Sequence, residues 1–137
     1  MTRINLPFVL TIVAVVEAGY AIAGLLTPPA LIPSVTGWIL SADGHWISKL
    51  LGAALASQAW VAWIMRKEPH AGVITALAFY QLAASTVDWV MWVTMADQGI
   101  FSTPLSRVTV AGSIGLHYTL GTWLLVALRR TPVRRLA

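Results

Sequence analysis

Cysteine is absent from the 137 residues, which excludes disulfides, thiolate catalysis and cysteine-ligated metals. Charge is scarce as well: Lys, Arg, Asp and Glu together make up 10% of the chain, and only 5 side chains are acidic. So little charge leaves no material for a separate soluble domain. Histidine occurs three times, and bis-imidazole haem ligation needs two histidines at matched depth. His45 and His70 lie between apolar runs and only His117 lies inside one, which argues against a bis-imidazole haem. No internal repeat or low-complexity segment is present.

What is abundant is apolar side chain, 58% of residues, for a mean hydropathy of +0.76. The apolar residues gather into four runs at about 7–26, 47–65, 71–95 and 106–128. Each approaches or exceeds the ~20 residues with which a helix, rising ~1.5 Å per residue, crosses a ~30 Å hydrocarbon layer. The expected architecture is all-α: a four-helix transmembrane bundle forming a single integral membrane domain over residues 1–137. The first run is not read as a secretory signal. It is too long, lacks a small-x-small cleavage site before Thr27-Pro28-Pro29, and carries Glu17 in its middle.

The sequence pI near 10.1 would suggest nucleic acid in a soluble chain. Here the basic residues fall where topology places them, and no nucleic-acid partner is assigned. Arg3, Arg66, Lys67, Arg129, Arg130, Arg134 and Arg135 lie on one side of the bundle, with Lys49 and Arg107 near the other. The positive-inside bias therefore predicts both termini in the cytoplasm, as an even number of spans requires, and a multi-pass protein of a bacterial-type plasma membrane. The Arg66–His70 connection is short enough to make spans 2 and 3 antiparallel neighbours. Thr27–Trp46 is long, and its apolar middle, Ala30–Leu40, suits the interface or a fold over the bundle mouth. Ala96–Leu105 ends in Ser102-Thr103-Pro104, a hydroxyl N-cap followed by a proline that starts span 4. Small residues at Gly52/Ala56 and Ala111/Gly115 predict close helix seams.

Polar side chains recur at one height. Counted from the span ends, Glu17, Gln58, Gln81 and His117 each lie ~15–16 Å deep, one per helix. Tyr80 shares that level. Gln81, Ser85 and Asp88 share a face of span 3, and Ser113 and His117 a stripe of span 4. A carboxylate facing lipid costs at least ~2.5–3.5 kcal/mol, so these faces should point inward and line a cavity running toward the outer mouth. Bland readings exist for some of these groups. Gln58 suits interhelical glue, and Asp88 could latch onto Arg107. Glu17 is harder to explain so, because no basic residue shares its depth except His117.

A buried carboxyl beside a histidine suits proton transfer. The expected site has Glu17 as principal acid or base, His117 as its partner and Asp88 as a second carboxylate. Gln58, Gln81, Tyr80, Trp60, Trp89 and Ser113 would contact substrate, with the aromatic faces available to a carbocation. No metal is assigned, since Asp88 counts ~10 Å above the other two candidate ligands. No cofactor is assigned either. The partners are then the lipid bilayer and a lipophilic small molecule undergoing isomerase- or cyclase-type chemistry. A proton-coupled small transporter and a quinone-binding accessory subunit stay open, as do a homo-oligomer and a larger membrane complex.

Glu17-Ala18-Gly19, Gly24 and Pro28 in span 1, with Lys49-Leu50-Leu51-Gly52-Ala53 opening span 2, resemble the DoxX-like group of small four-helix membrane proteins. Asp88 inside span 3 also suits related families. That resemblance implies the four-helix architecture and association with membrane redox complexes, without supplying catalytic residues. The bundle is also similar in kind to the sterol-isomerase and sigma-2-receptor type, which holds acidic residues in a lipid-facing pocket; no motif of it is carried over.

Overall fold

The computed structural model describes residues 5–95 and 98–132. Arg3, Arg134 and Arg135, which the charge argument uses, and Ala96 lie outside the described residues. The chain forms α1 (Leu6–Leu26), α2 (Ile32–Thr36), α3 (Ala42–Met65), α4 (Ala71–Thr94) and α5 (Pro104–Arg130), with 3-10 turns at Pro29–Leu31 and Gly99–Phe101. The four helices other than α2 are long and apolar enough to cross a membrane.

Local chemistry sets the boundaries. Pro7 opens α1, and Pro28 holds Thr27 extended (φ −66°, ψ 121°), which ends it. The long connection is partly helical, a difference from the expected single loop. Pro33 lies in the first turn of α2, and Gly37 closes that helix at φ 76°, where a side chain would be strained. α3 begins at Ala42, five residues before the apolar run, because the Ser41 side chain caps it by accepting from Gly44 N at 3.2 Å. α5 starts in a reciprocal capping box of Thr103 and Ser106 with Pro104 at its head. It runs on through Arg129 and Arg130, whose charges suit a helix C-terminus.

The long helices pack as two pairs, α1 with α3 and α4 with α5, joined chiefly where α1 meets α5. The five-residue turn makes α3 and α4 antiparallel, yet they touch little, so the expected neighbour packing is largely missing. At the α1–α3 seam, a Cβ on Gly24 would stand 3.2 Å from Gly52 Cα, so backbones meet directly. Lys49 fastens the same seam by donating to the carbonyls of Leu25 (2.7 Å) and Thr27 (3.0 Å), which the end of α1 leaves unpaired. At the α4–α5 seam, a Cβ on Gly121 would come 2.8 Å from Leu82 Cγ. Gly121→Val should therefore cost about 1–3 kcal/mol through overpacking. Thermal unfolding in a fixed detergent checks this, and an unchanged midpoint refutes the close seam. The Ala111/Gly115 spacing is corrected: both residues are exposed, and a Cβ on Gly112 or Gly115 would meet nothing. His117, Leu120 and Leu124 turn inward and rotate that stripe away from the bundle.

The interior divides by height. Toward the end carrying the termini, Leu6, Leu10, Val13, Ile74, Leu120 and Leu124 belong to one apolar cluster. Toward the far end, the connection folds over the start of α5. Thr103 Oγ1 donates to Gly37 O at 2.9 Å and Thr109 Oγ1 to Thr36 O at 3.2 Å. Gly37 is buried against α5 so closely that a Cβ would fall 2.4 Å from Ser106 N. The polar residues lie between the cluster and this cover.

Candidate functional site

Three helices deliver the central group. On α1 the inward phase runs Leu10, Val13, Ala14, Glu17, Ala21, so Glu17 takes a place otherwise held by core aliphatics. On α4 the phase is Ile74, Leu77, Ala78, Gln81, Ser85, and on α5 it is Val110, His117, Leu120, Leu124. Glu17, Gln81 and Ser85 are fully buried, and His117 is 6% exposed.

Gln81 stands between the other two. Its Nε2 donates to Glu17 Oε1 at 2.5 Å. Its Oε1 receives a short hydrogen bond from His117 Nδ1. His117 Nδ1 and Glu17 Oε1 are themselves 3.9 Å apart. The amide thus fixes the imidazole: Nδ1 carries the proton that Gln81 accepts, and among the described residues Nε2 has no hydrogen-bond partner. Glu17 Oε2 is buried and likewise has no partner among the described residues. A buried carboxyl oxygen is rarely left so, because desolvation without compensation costs about 1–3 kcal/mol or more. The unit therefore presents two unengaged ends, one carboxyl oxygen and one imidazole nitrogen, held by a shared amide.

Polar groups continue toward the far end. Tyr20 stacks on the His117 ring, centroids 5.6 Å apart and planes 22° from parallel. Ser113 Oγ donates to Asp88 Oδ2 at 3.3 Å. Ser85 Oγ donates to Ile114 O at 3.1 Å, tying α4 to α5 at an intermediate level. Asp88 thus engages Ser113 on α5 rather than standing alone at the far end of the polar group. Arg107 Nε donates to Phe101 O.

The other expected site residues are more scattered. Tyr80 is half-buried beside the group, within electrostatic range of Glu17 and Asp88. Gln58 is half-buried on α3 and makes no side-chain hydrogen bond among the described residues. Trp60 and Trp89 are 65% and 54% exposed and face out of the bundle. Tyr20 was missed as a site residue, although its place three residues after Glu17 puts it on the same helical face. Two cavities lie away from the expected midplane position. One, of about 1150 Å³, lies between α3 and the start of α4; the other, of about 470 Å³, lies between α1 and α3. Neither is lined by Glu17, Gln81 or His117. The central group is packed because the Gly121 seam draws α4 and α5 together around it. Among the described residues no three His, Asp or Glu side chains gather as a metal-binding group.

No protein-family model, curated protein or solved structure matches this chain. Its chemistry has to be read from its own geometry.

Proposed function

We propose that the chain is an integral membrane protein whose Glu17–Gln81–His117 centre moves protons on a lipophilic small molecule, with double-bond isomerisation as the reaction class. The observation that supports this is the pair of unengaged ends, Glu17 Oε2 and His117 Nε2, held by one amide. His117 Nε2 accepts a proton from an allylic carbon, and Glu17 in its acid form returns one from Oε2 where the shifted double bond is completed. The double bond moves and the substrate's composition is unchanged. The step leaves imidazolium and carboxylate close together, and proton exchange between them restores the starting state. Tyr20 holds the imidazole plane, and Asp88 with Ser113 orients the polar end of the substrate.

Access favours this reading over transport. A carrier must open its site to both sides, while the half of the bundle nearest the termini is filled by the apolar cluster around Leu10 and Leu124. The groove between α1 and α3 opens to the lipid side and stops short of Glu17, so a substrate entering there reaches the centre only when α1 shifts. Ala14, Ala18, Ala21 and Ala59 form its floor and Trp60 part of its wall. Its volume, about 470 Å³, falls within the ~300–1,000 Å³ usual for small-molecule sites. Trp60 keeps a substrate-side place there, one face round α1 from Glu17. The carbocation role falls away because Trp60 and Trp89 face outward, which leaves isomerisation ahead of cyclisation. The basic excess of Arg66, Lys67, Arg129 and Arg130 supports a cytoplasmic side for the termini and the α3–α4 turn. The resemblance of spans 1 and 2 to the DoxX-like group is held as a proposal about architecture.

Organic extraction of gently purified protein, with mass spectrometry of the extract, tests the reading. A stoichiometric unsaturated lipophile such as a sterol or terpenoid is the expected result. Ordinary phospholipid alone, found in two detergents, would overturn it. A quinone would transfer the site to the redox-subunit reading.

A further inference from the structure

The larger cavity is not lined by the central group, and it shares only Trp60 and Trp63 with the groove between α1 and α3. It lies at the end of the bundle that carries the termini, where α3 and α4 splay from their five-residue turn. Trp60, Trp63, Ile64 and Val73 form its wall, and Lys67 and His70 stand at its rim, with Glu68 the acidic side chain there. Its volume, about 1150 Å³, exceeds the ~300–1,000 Å³ of ordinary small-molecule pockets. Among the described residues His70 Nδ1 has no hydrogen-bond partner; it lies against the first turn of α4, where a Cβ on Gly72 would come 3.5 Å from it, so only the other side of the ring is left for a ligand.

The wall and the rim call for different halves of one ligand. Trp60 and Trp63 are 65% and 46% exposed, an apolar surface that α4 does not cover. Trp63 is also held in place: the Arg66 guanidinium sits 3.2 Å over its ring, and Arg66 Nε donates to Trp63 O at 3.1 Å. Lys67 and Glu68 both stand at the rim, and the end of the bundle around them carries a positive excess. Arg66, Lys67, Arg129 and Arg130 occupy this end among the described residues, against Glu68. Basic pockets between membrane helices on the cytoplasmic side accept anionic headgroups, and tryptophan stands at the headgroup boundary.

We propose that this cavity is a binding site for one anionic phospholipid. The acyl chains lie in the splay between α3 and α4 against Trp60 and Trp63, and the phosphate meets Lys67 and His70. The lipid supplies the packing that α3 and α4 do not give each other. The proposal needs neither Glu17 nor any substrate and stands independently of the reaction.

Native mass spectrometry of the detergent-solubilised full chain, titrated with phosphatidylglycerol or phosphatidylcholine of identical acyl chains, decides it. One phosphatidylglycerol should bind ahead of phosphatidylcholine by about fivefold or more, the value of a cation or two at the headgroup. Lys67→Gln with His70→Gln should abolish the preference, while Arg129→Gln with Arg130→Gln should preserve it. Trp60→Ala should weaken both lipids and keep the preference. Equal binding of the two lipids by the wild-type chain overturns the proposal. So does an equal loss in the Arg129/Arg130 variant, which would mean diffuse surface attraction, or a second copy of the chain displacing the lipid. Far-UV helicity confirms that each variant is folded.

Discussion

Gln81→Leu should destabilise the bundle by about 2–6 kcal/mol, because two buried groups lose their partner at roughly 1–3 kcal/mol each. Gln81 is fully buried and satisfies Glu17 Oε1 with its nitrogen and His117 Nδ1 with its oxygen. Leucine fills similar space and satisfies neither. The loss is read as a fall in the denaturant midpoint of reversible unfolding in mixed micelles. An unchanged midpoint would show that the amide holds nothing. The informative comparison is the triple variant Glu17→Leu, Gln81→Leu, His117→Leu. Replacing a whole buried polar group by apolar residues of similar volume is often neutral or stabilising. The triple variant should therefore recover most of what Gln81→Leu loses. If it does, the packed interior does not need these polar residues, and their presence is accounted for by chemistry. A triple variant as unstable as the single one would make the network structural.

Glu17→Gln separates structure from chemistry more sharply. The amide oxygen of the new side chain still accepts from Gln81 Nε2, so the hydrogen bond seen at Oε1 survives. The group at Oε2, which has no partner among the described residues, becomes an NH₂ that neither gives nor takes a proton at neutral pH. Unfolding should shift little, while proton transfer should fall by about 10²–10⁴, the usual worth of a positioned acid or base. Exchange of substrate hydrogen with deuterated solvent, measured on the lipophile recovered from the protein, reads the step directly. His117→Ala should lose the same exchange. Retention of full exchange in both variants sinks the acid–base reading. Loss of pH-driven uptake into proteoliposomes, with no exchange in the wild-type chain, would instead favour transport.

The site was partly legible before the fold. Glu17, Gln81 and His117 could be put at one height because a helix advances ~1.5 Å per residue, and counting from the span ends needs no knowledge of neighbours. Height alone does not give rotation. Gln58 counts to the same level, yet α3 turns it where it meets no partner. Trp60 and Trp89 were expected to contact substrate, yet both face outward. Tyr20 was underrated because stacking on His117 joins residues almost a hundred positions apart. The Ala111/Gly115 spacing suggested a seam within the chain, but the inward turn of His117 and Leu120 sends that face out.

The sequence by itself determined the four membrane-length helices and the places where α1 stops and α5 starts. It also determined the height of the polar layer. Each of these depends on local hydropathy, proline geometry and a hydroxyl cap, all properties of neighbouring residues. Only the tertiary structure decided that Gln81 lies between Glu17 and His117, that Lys49 closes the end of α1, and that α3 and α4 part to leave a cavity. Those outcomes follow from the relative rotation and pairing of helices, set by close contacts such as Gly24 on Gly52 and Gly121 on Leu82. Contacts of that kind join residues far apart in the chain, and no local pattern records them.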